Sequence, residues 1–165
     1  VLDTGRFRCF LAEALDASVE DVHAYVLGGH GDTMVPLVRY TTVGGVPVEN
    51  FLNPEEIKAI VDRTRFGGGE MVKLLKFGSA YVAPGAAIAT MVESIVRDKK
   101  RIFPVAAYLD GEFGTSGHYL GVPCKLGRQG LEQIVEINLT DEEKSSLVQS
   151  IEHVQELTEA TRKFL

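Results

Sequence analysis

Apolar residues recur along the chain with two spacings, one typical of helices and one typical of strands. Recurrence every three to four residues predicts a helix over residues 4–15, with Thr4 as its N-cap. Alternation of apolar and polar residues predicts a strand over residues 21–27, and a second strand is expected over residues 35–42. The pair Gly44-Gly45 then signals a hairpin. The first part of the chain therefore combines one helix with short strands.

Further helices are predicted along the middle and at the end of the chain. The pair Asn53-Pro54 favours a helix start, and the glycine run at residues 67–69 predicts a break or bend in that helix. Residues 78–96 are the most apolar stretch and predict a buried helix. A capping box at residues 140–143 predicts the start of the last helix.

Three apolar segments between these helices predict strands over residues 102–109, 119–126 and 131–137. Their short connections favour an antiparallel meander, because parallel strands need long crossovers. The helices and strands are grouped and do not alternate as βαβ units. The sequence therefore predicts an α+β fold with long helices packed on a twisted antiparallel sheet.

The composition and net charge of the chain indicate which kinds of binding partner to expect. The chain has 165 residues, 45% of them hydrophobic and 24% charged, with a formal net charge of −6. We expect no nucleic-acid partner and no attraction to an anionic membrane. No apolar stretch approaches the roughly 20 residues of a membrane span. Cys9 and Cys124 are too few and too far apart for a disulfide framework, so two reduced thiols in a cytoplasmic protein are expected. The start at Val1, without Met, suggests a piece of a longer protein.

The strongest candidate for chemistry is His30, which lies between glycines in the stretch Tyr25 to Pro36. Glycine lets the backbone adopt conformations closed to other residues and lets a ligand approach closely. A histidine in such a place can pass a proton at neutral pH. A metal site at His30 and Asp32 is disfavoured because metal sites need three or four ligands. His30 is therefore a candidate general acid and base.

Asp3 and Arg6 lie three residues apart at the start of the first predicted helix, so both side chains are expected to project into one pocket. A carboxylate is the usual group that orients a catalytic imidazole. Arginine forms two parallel hydrogen bonds with a substrate carboxylate. Together with His30, these groups are what a site for a 2-hydroxy acid requires.

Residues 2–8, Leu-Asp-Thr-Gly-Arg-Phe-Arg, and residues 26–32, Val-Leu-Gly-Gly-His-Gly-Asp, carry a resemblance to a known family. They look like the two motifs of the substrate domain of the lactate and malate dehydrogenase family. Residues 78–84, Gly-Ser-Ala-Tyr-Val-Ala-Pro, are similar to the malate dehydrogenase form of a helix lining the substrate pocket. The resemblance spans residues 1–165, as one C-terminal substrate domain, and is closest to lactate-dehydrogenase-like malate dehydrogenases.

The resemblance implies a role for each candidate residue. His30 would exchange the hydroxyl proton during the reduction of oxaloacetate to malate, and Asp3 would orient it. Arg6 would hold the substrate carboxylate, and Ala80 would line the pocket. The family uses NAD, bound by an N-terminal dinucleotide-binding domain. We find no Gly-x-Gly-x-x-Gly turn here, so that domain is expected to be absent from this chain and the isolated chain to be inactive.

Two alternatives remain open. The first is a lactate dehydrogenase, because the residue that separates a dicarboxylate from a monocarboxylate substrate lies on a loop outside this chain. The second is an assembly module in which Phe7 and Phe10 pack against a partner subunit. The resemblance also implies a homo-oligomer, a dimer or a tetramer, acting in the cytoplasm and in the tricarboxylic acid cycle. No metal site is expected, and His118 and His153 are expected to be structural or solvated.

Overall fold

The computed structural model describes residues 1–164, which divide into two compact units. The first unit comprises residues 1–26 and 36–93, and the second comprises residues 27–35 and the described chain from residue 94 onwards. The helices and strands, in chain order, are α1 (Leu2–Leu15), β1 (Val22–His23), β2 (Val26–Leu27), β3 (Val35–Pro36), β4 (Thr42–Val43), β5 (Val46–Pro47), α2 (Pro54–Leu75), α3 (Val82–Val96), β6 (Arg101–Asp110), β7 (Ser116–Gly127), β8 (Gly130–Ile134) and α4 (Asp141–Arg162). Long helices and antiparallel three-stranded sheets confirm the predicted α+β fold.

Helix α1 begins earlier than predicted, at Leu2, with Val1 in the N-cap position. Thr4 lies inside the helix and is buried, and its hydroxyl accepts a hydrogen bond from the backbone N–H of Val26 at 3.0 Å. The prediction that Thr4 caps the helix was therefore wrong. Its side chain satisfies a strand amide and does not reach the helix terminus. Phe7 is fully buried on the inner face of α1.

Helix α2 begins as predicted and then continues through a segment where a break was expected. The Asn53 side chain accepts hydrogen bonds from the N–H groups of Glu55 and Glu56, both at 3.0 Å, and the Glu56 carboxylate accepts one from the Asn53 N–H at 2.8 Å. The helix runs unbroken past residues 67–69 to Leu75. The predicted break was wrong because a helix anchored by tertiary packing tolerates the cost of about 1 kcal/mol per glycine.

Helix α3 is apolar, but the expectation that it is buried was wrong for this chain. Within α3, only Ser94 is buried. The side chains of Val82, Ile88 and Val96 are between 61% and 74% exposed. A mostly apolar sequence predicts that a surface is covered, but it does not say that the same chain covers it.

The strands between α1 and α2 are shorter than predicted. The segment expected as one strand over residues 21–27 contains β1 and β2, and the next contains β3, a 3₁₀ turn and β4. The hairpin at Gly44-Gly45 is confirmed, since Val43 pairs with Val46. His30 lies in the loop between β2 and β3, which is the gap between the two predicted strands.

The second unit is built on the predicted meander of β6, β7 and β8. The strands are antiparallel, with Phe103 opposite Cys124 and Val105 opposite Val122. Alternate residues of both long strands form its core, namely Phe103, Val105, Ala107, Leu109, Leu120, Val122, Cys124 and Leu126. Burial of each larger side chain contributes about 1.5–3 kcal/mol, so this sheet is a rigid support for the loops beside it.

Helix α4 packs on the meander and confirms the predicted capping box. The Thr140 hydroxyl accepts from the Glu143 N–H at 3.2 Å, and Glu143 accepts from the Thr140 N–H at 2.8 Å. Leu147 and Ile151 are buried on the face that contacts β7. Over residues 1–164, none of the helices has the length and apolar content needed to cross a membrane.

Candidate active site

His30 is exposed in the loop between β2 and β3, which belongs to the second unit. Gly28 precedes it with a φ of 89°, and Gly31 follows it with a φ of 129°. Both values are favoured for glycine, which explains why glycines flank this histidine. The chain therefore turns sharply on both sides of His30 and presents the imidazole at the surface of this unit.

The loop is fixed to the sheet on one side by a short reciprocal bridge. The N–H of Gly28 donates to the carbonyl of Gly121 on β7 at 2.9 Å, and the N–H of Gly121 donates back at 2.9 Å. A Cβ on Gly121 would lie 2.6 Å from the Gly28 carbonyl oxygen, so neither strand segment has room for a side chain there. The backbone leading into His30 is thus an extension of the rigid meander.

Asp3 and Arg6 are brought together on α1 in the first unit. The Nη1 of Arg6 lies 3.5 Å from Oδ1 of Asp3 and donates to the carbonyl of Thr64 at 3.2 Å. The two side chains are only 18% and 15% exposed. The guanidinium is therefore anchored through Nη1 to both α1 and α2, and it has few positions available to it.

The glycines of α2 explain how Arg6 is accommodated. A Cβ at Gly67 would lie 2.6 Å from Cδ and 3.2 Å from Nε of Arg6, and a Cβ at Gly68 would lie 3.7 Å from Nη2. Because no side chains stand at these positions, α2 leaves room beside it for Cδ, Nε and Nη2 of Arg6. The Nε–Nη2 edge of a guanidinium is the one that forms two parallel hydrogen bonds with a carboxylate.

The other residues of the first motif have structural roles. Arg8 donates from Nε to the carbonyl of Val22 at 2.6 Å and from Nη2 to the carbonyl of Val19 at 2.5 Å, which fixes the turn after α1. Phe7 is fully buried, so the expectation that it packs against a partner subunit was wrong. Phe10 is half-buried, with the Arg63 guanidinium 3.9 Å from its ring centroid.

Ala80 lies in the segment that connects α2 to α3 in the first unit. It is half-buried, whereas its neighbours Ser79 and Tyr81 are exposed. Pro84 occupies the first turn of α3, as its missing N–H predicts. The part that Ala80 plays in lining a pocket stays a prediction.

Burial raises the pKa values of two titratable side chains, Tyr25 and Cys124. Burial raises the pKa of the Tyr25 phenol, at the start of the stretch that leads to His30. Desolvation is also the main cause that raises the pKa of the Cys124 thiol, to about 11.

Over residues 1–164, no three His, Cys, Asp or Glu side chains are grouped as a metal site would need. His118 contacts Gln155 through Nε2 at 2.9 Å.

The described residues do not fit a dinucleotide on their own. A dinucleotide-binding fold needs parallel strands joined by helices, with a glycine-rich turn at a helix N-terminus. Here β1, β4 and β5 form one antiparallel sheet, and β6, β7 and β8 form another. No cofactor-binding residue is therefore assigned in this chain.

Sequence reasoning missed Gly121, Gly67 and Ser150, which support the predicted residues from distant elements. Ser150 is fully buried on α4 and accepts a hydrogen bond from the Gly29 N–H at 2.8 Å. The signal for Ser150 was available, since this polar residue falls on the apolar face between Leu147 and Val154. Gly121 and Gly67 carry no local signal, because the groups that crowd them are remote in sequence.

Known proteins are similar to this chain over nearly its whole length. A curated malate dehydrogenase from Bacillus israeli is 57% identical over 160 residues, which cover 97% of this chain and 51% of that protein. The solved malate dehydrogenase of Salinibacter ruber has a TM-score of 0.95 and 52% identity, over 98% of this chain and 53% of its own. The solved lactate dehydrogenase of Eimeria maxima with NADH and oxamate has a TM-score of 0.94 and 44% identity, over 99% of this chain and 52% of its own.

These similarities extend over nearly all of this chain but not over all of its relatives. The chain spans about half the length of the curated relatives it matches. It matches, over residues 1–165, the family described as lactate/malate dehydrogenase, alpha/beta C-terminal domain. The two motifs, the α+β fold and these matches together establish that the chain belongs to the lactate/malate dehydrogenase family.

Proposed function

We propose that this chain is the substrate-binding half of an NAD-dependent malate dehydrogenase, which interconverts oxaloacetate and malate. The observation that carries the proposal is the presentation of His30 in a loop fixed by the Gly28–Gly121 bridge, in a chain whose relatives are malate dehydrogenases. A fixed and exposed imidazole is suited to proton exchange with a small substrate.

His30 is the proton donor in reduction and the proton acceptor in oxidation. As hydride reaches the carbonyl carbon of oxaloacetate, the imidazolium donates its proton to the carbonyl oxygen, which becomes the hydroxyl of malate. A bound nicotinamide would supply that hydride, and we assign its binding to a domain outside this chain. His30 is exposed, so a small substrate can reach its imidazole.

Arg6 binds the substrate carboxylate through its Nε–Nη2 edge, while Nη1 stays anchored on Thr64. Because Nη1 is bound to the protein, Nε and Nη2 point in one direction. Their two hydrogen bonds then orient the substrate carboxylate as well as bind it. The resemblance assigns Asp3 to the orientation of His30. Within the first unit Asp3 also faces Arg6, so its charge supports the guanidinium. Ala80 completes the proposed lining of the pocket.

Lactate dehydrogenase is the second candidate, because a lactate dehydrogenase shares 44% identity with this chain. Malate dehydrogenase is favoured by the higher identity of the malate dehydrogenases, up to 57%. The two functions differ in the charge that faces the far end of the substrate. A complete protein containing this chain should therefore reduce oxaloacetate well and pyruvate poorly, and the reverse preference would support lactate.

The test is the oxidation of NADH by the complete protein with oxaloacetate, followed by absorbance. His30→Asn should remove most turnover, since asparagine has no titratable proton, while the affinity for NADH stays close to that of the unaltered protein. Full turnover of His30→Asn would overturn its assignment as the proton donor. Residues 1–165 alone should bind no cofactor productively and should not turn over.

We further propose that the complete enzyme is a cytoplasmic homo-oligomer that serves the tricarboxylic acid cycle. Support for assembly comes from the exposed apolar residues of α3, such as Val82 and Ile88. An apolar helix surface of this kind is typical of protein interfaces. Light scattering of the complete protein tests the oligomer, and a mass equal to one chain would count against it.

A further inference from the structure

Ser150 connects the two ends of the loop that carries His30. Its hydroxyl oxygen accepts a hydrogen bond from the N–H of Gly29 at 2.8 Å, and its O–H donates to the hydroxyl of Thr33 at 3.4 Å. Gly29 lies immediately before His30, and Thr33 lies three residues after it. One side chain of α4 therefore holds the loop on both sides of the histidine.

The loop approaches α4 so closely that only glycine fits at the contact. A Cβ on Gly28 would collide with the hydroxyl of Ser150, and a Cβ on Gly29 would lie 2.8 Å from Cγ2 of Val154. Ser150 is fully buried, so water does not compete for its hydrogen bonds. The Ser150 hydroxyl accepts the hydrogen bond of the Gly29 N–H, and alanine at position 150 would remove that acceptor.

We propose that Ser150 is a positioning residue for His30, acting through the backbone of residues 29–33. This inference rests on the proposed function of His30. The Gly28–Gly121 bridge fixes the entry to the loop on the side of β7, and Ser150 fixes it on the side of α4. With both supports, the imidazole has a defined direction. With the bridge alone, residues 29–33 can rotate about their glycines.

Loss of the serine hydroxyl should lower the rate of the chemical step more than substrate binding. A misplacement of about 1 Å can cost on the order of 100-fold in rate. We therefore expect Ser150→Ala to lower kcat roughly 10- to 100-fold. The Michaelis constant for oxaloacetate should change by no more than about twofold, because Arg6, the proposed carboxylate ligand, is in the other unit.

The experiment compares Ser150→Ala with Ser145→Ala in the complete protein. Ser145 is on the same helix and is exposed, so the same substitution there controls for changes to α4 itself. Steady-state rates are measured with NADH and oxaloacetate. Hydrogen exchange of the Gly29 amide is measured in parallel, together with that of the β6 and β7 amides.

The expected result is a lower kcat and faster exchange at Gly29 in Ser150→Ala, with unchanged exchange in β6 and β7. Thr33→Val should give a smaller loss, because its bond to Ser150 is the longer one. An unchanged kcat in Ser150→Ala would overturn the proposal, as would faster exchange throughout the meander, which would indicate general destabilisation. His30→Asn separates the two ideas: if it retains full turnover, the proposed function of His30 fails, whatever Gly29 exchange reports about Ser150.

Discussion

Gly67→Ala should weaken substrate binding without lowering the free energy of unfolding. Gly67 lies in the middle of α2, and alanine is favoured over glycine inside a helix by about 1 kcal/mol. The new methyl group would lie 2.6 Å from Cδ of Arg6 and 3.3 Å from the ring of Phe10. Carbon atoms in contact prefer a separation of about 3.5–4.0 Å. Cδ of Arg6, which lies between its backbone and the anchored Nη1, should therefore move by about 1 Å, and the helix backbone should not.

That displacement defines the size of the expected effect. A shift of about 1 Å in a group that orients the substrate can cost on the order of 100-fold in rate, which corresponds to about 2.7 kcal/mol in transition-state stabilisation. The methyl group would also approach Nε of Arg6 to 3.2 Å and partly cover the edge proposed to bind the carboxylate. We therefore expect kcat/KM for oxaloacetate to fall roughly 10- to 100-fold. Most of the change should lie in KM.

Gly69→Ala is the matched control, because no atom beyond its chain neighbours and the nearby backbone of α2 lies within 4 Å of a Cβ at that position. Both variants should keep or increase the free energy of unfolding, measured by urea denaturation, and only Gly67→Ala should lose kcat/KM. Equal activity of the two variants would refute the idea that Gly67 makes room for Arg6. A large loss of stability in Gly67→Ala would show that the backbone and not Arg6 moves.

Three further outcomes follow from the described contacts. Arg6→Lys should raise KM for oxaloacetate roughly 10- to 100-fold in steady-state assays, because lysine loses a charge-assisted hydrogen bond of about 1.5–3 kcal/mol; an unchanged KM would remove Arg6 as the carboxylate ligand. Iodoacetamide at pH 8 should label Cys9, which is exposed, and spare Cys124, whose buried thiol has a pKa raised to about 11. Mass spectrometry of the native protein after labelling measures this, and labelling of Cys124 but not Cys9 would contradict it. Phe7→Ala should lower the free energy of unfolding by about 3–5 kcal/mol in urea denaturation, since Phe7 is fully buried; a loss below about 1 kcal/mol would mean that its site collapses around the smaller side chain.

Features that depend on neighbours in sequence were predicted well. The caps at Asn53 and Thr140, the hairpin at Gly44-Gly45 and the three strands of the meander all follow from local patterns, and all are confirmed. At the caps and the hairpin, the groups that make the hydrogen bonds lie within a few residues of one another, and each strand of the meander has its own alternating pattern. Local sequence was therefore enough to specify them.

Features that depend on distant groups were predicted poorly. Thr4 was predicted to cap a helix, but its hydroxyl accepts a hydrogen bond from the backbone N–H of Val26 in β2. The glycines after Phe66 looked like a helix break, but they make room for Arg6, which lies about sixty residues earlier in the chain. The apolar helix α3 looked buried, but its own chain leaves it exposed.

The candidate site divides in the same way. His30, Asp3 and Arg6 were identified from motifs, and the close approach of Asp3 to Arg6 follows from their spacing on one helix turn. The supports of these residues were missed because Ser150 and Gly121 are remote from the motifs. A motif therefore predicts candidate reacting groups, whereas the groups that support their backbone lie in distant parts of the sequence.

The hydrogen bond between Gly29 and Ser150 joins residues that are 121 positions apart. Synthesis proceeds from the N-terminus, so the histidine segment leaves the ribosome long before the helix that holds it. During that interval the segment stays in an unfinished conformation, since closure of so long a loop must await both ends. The histidine segment therefore reaches its final geometry only after α4 has docked.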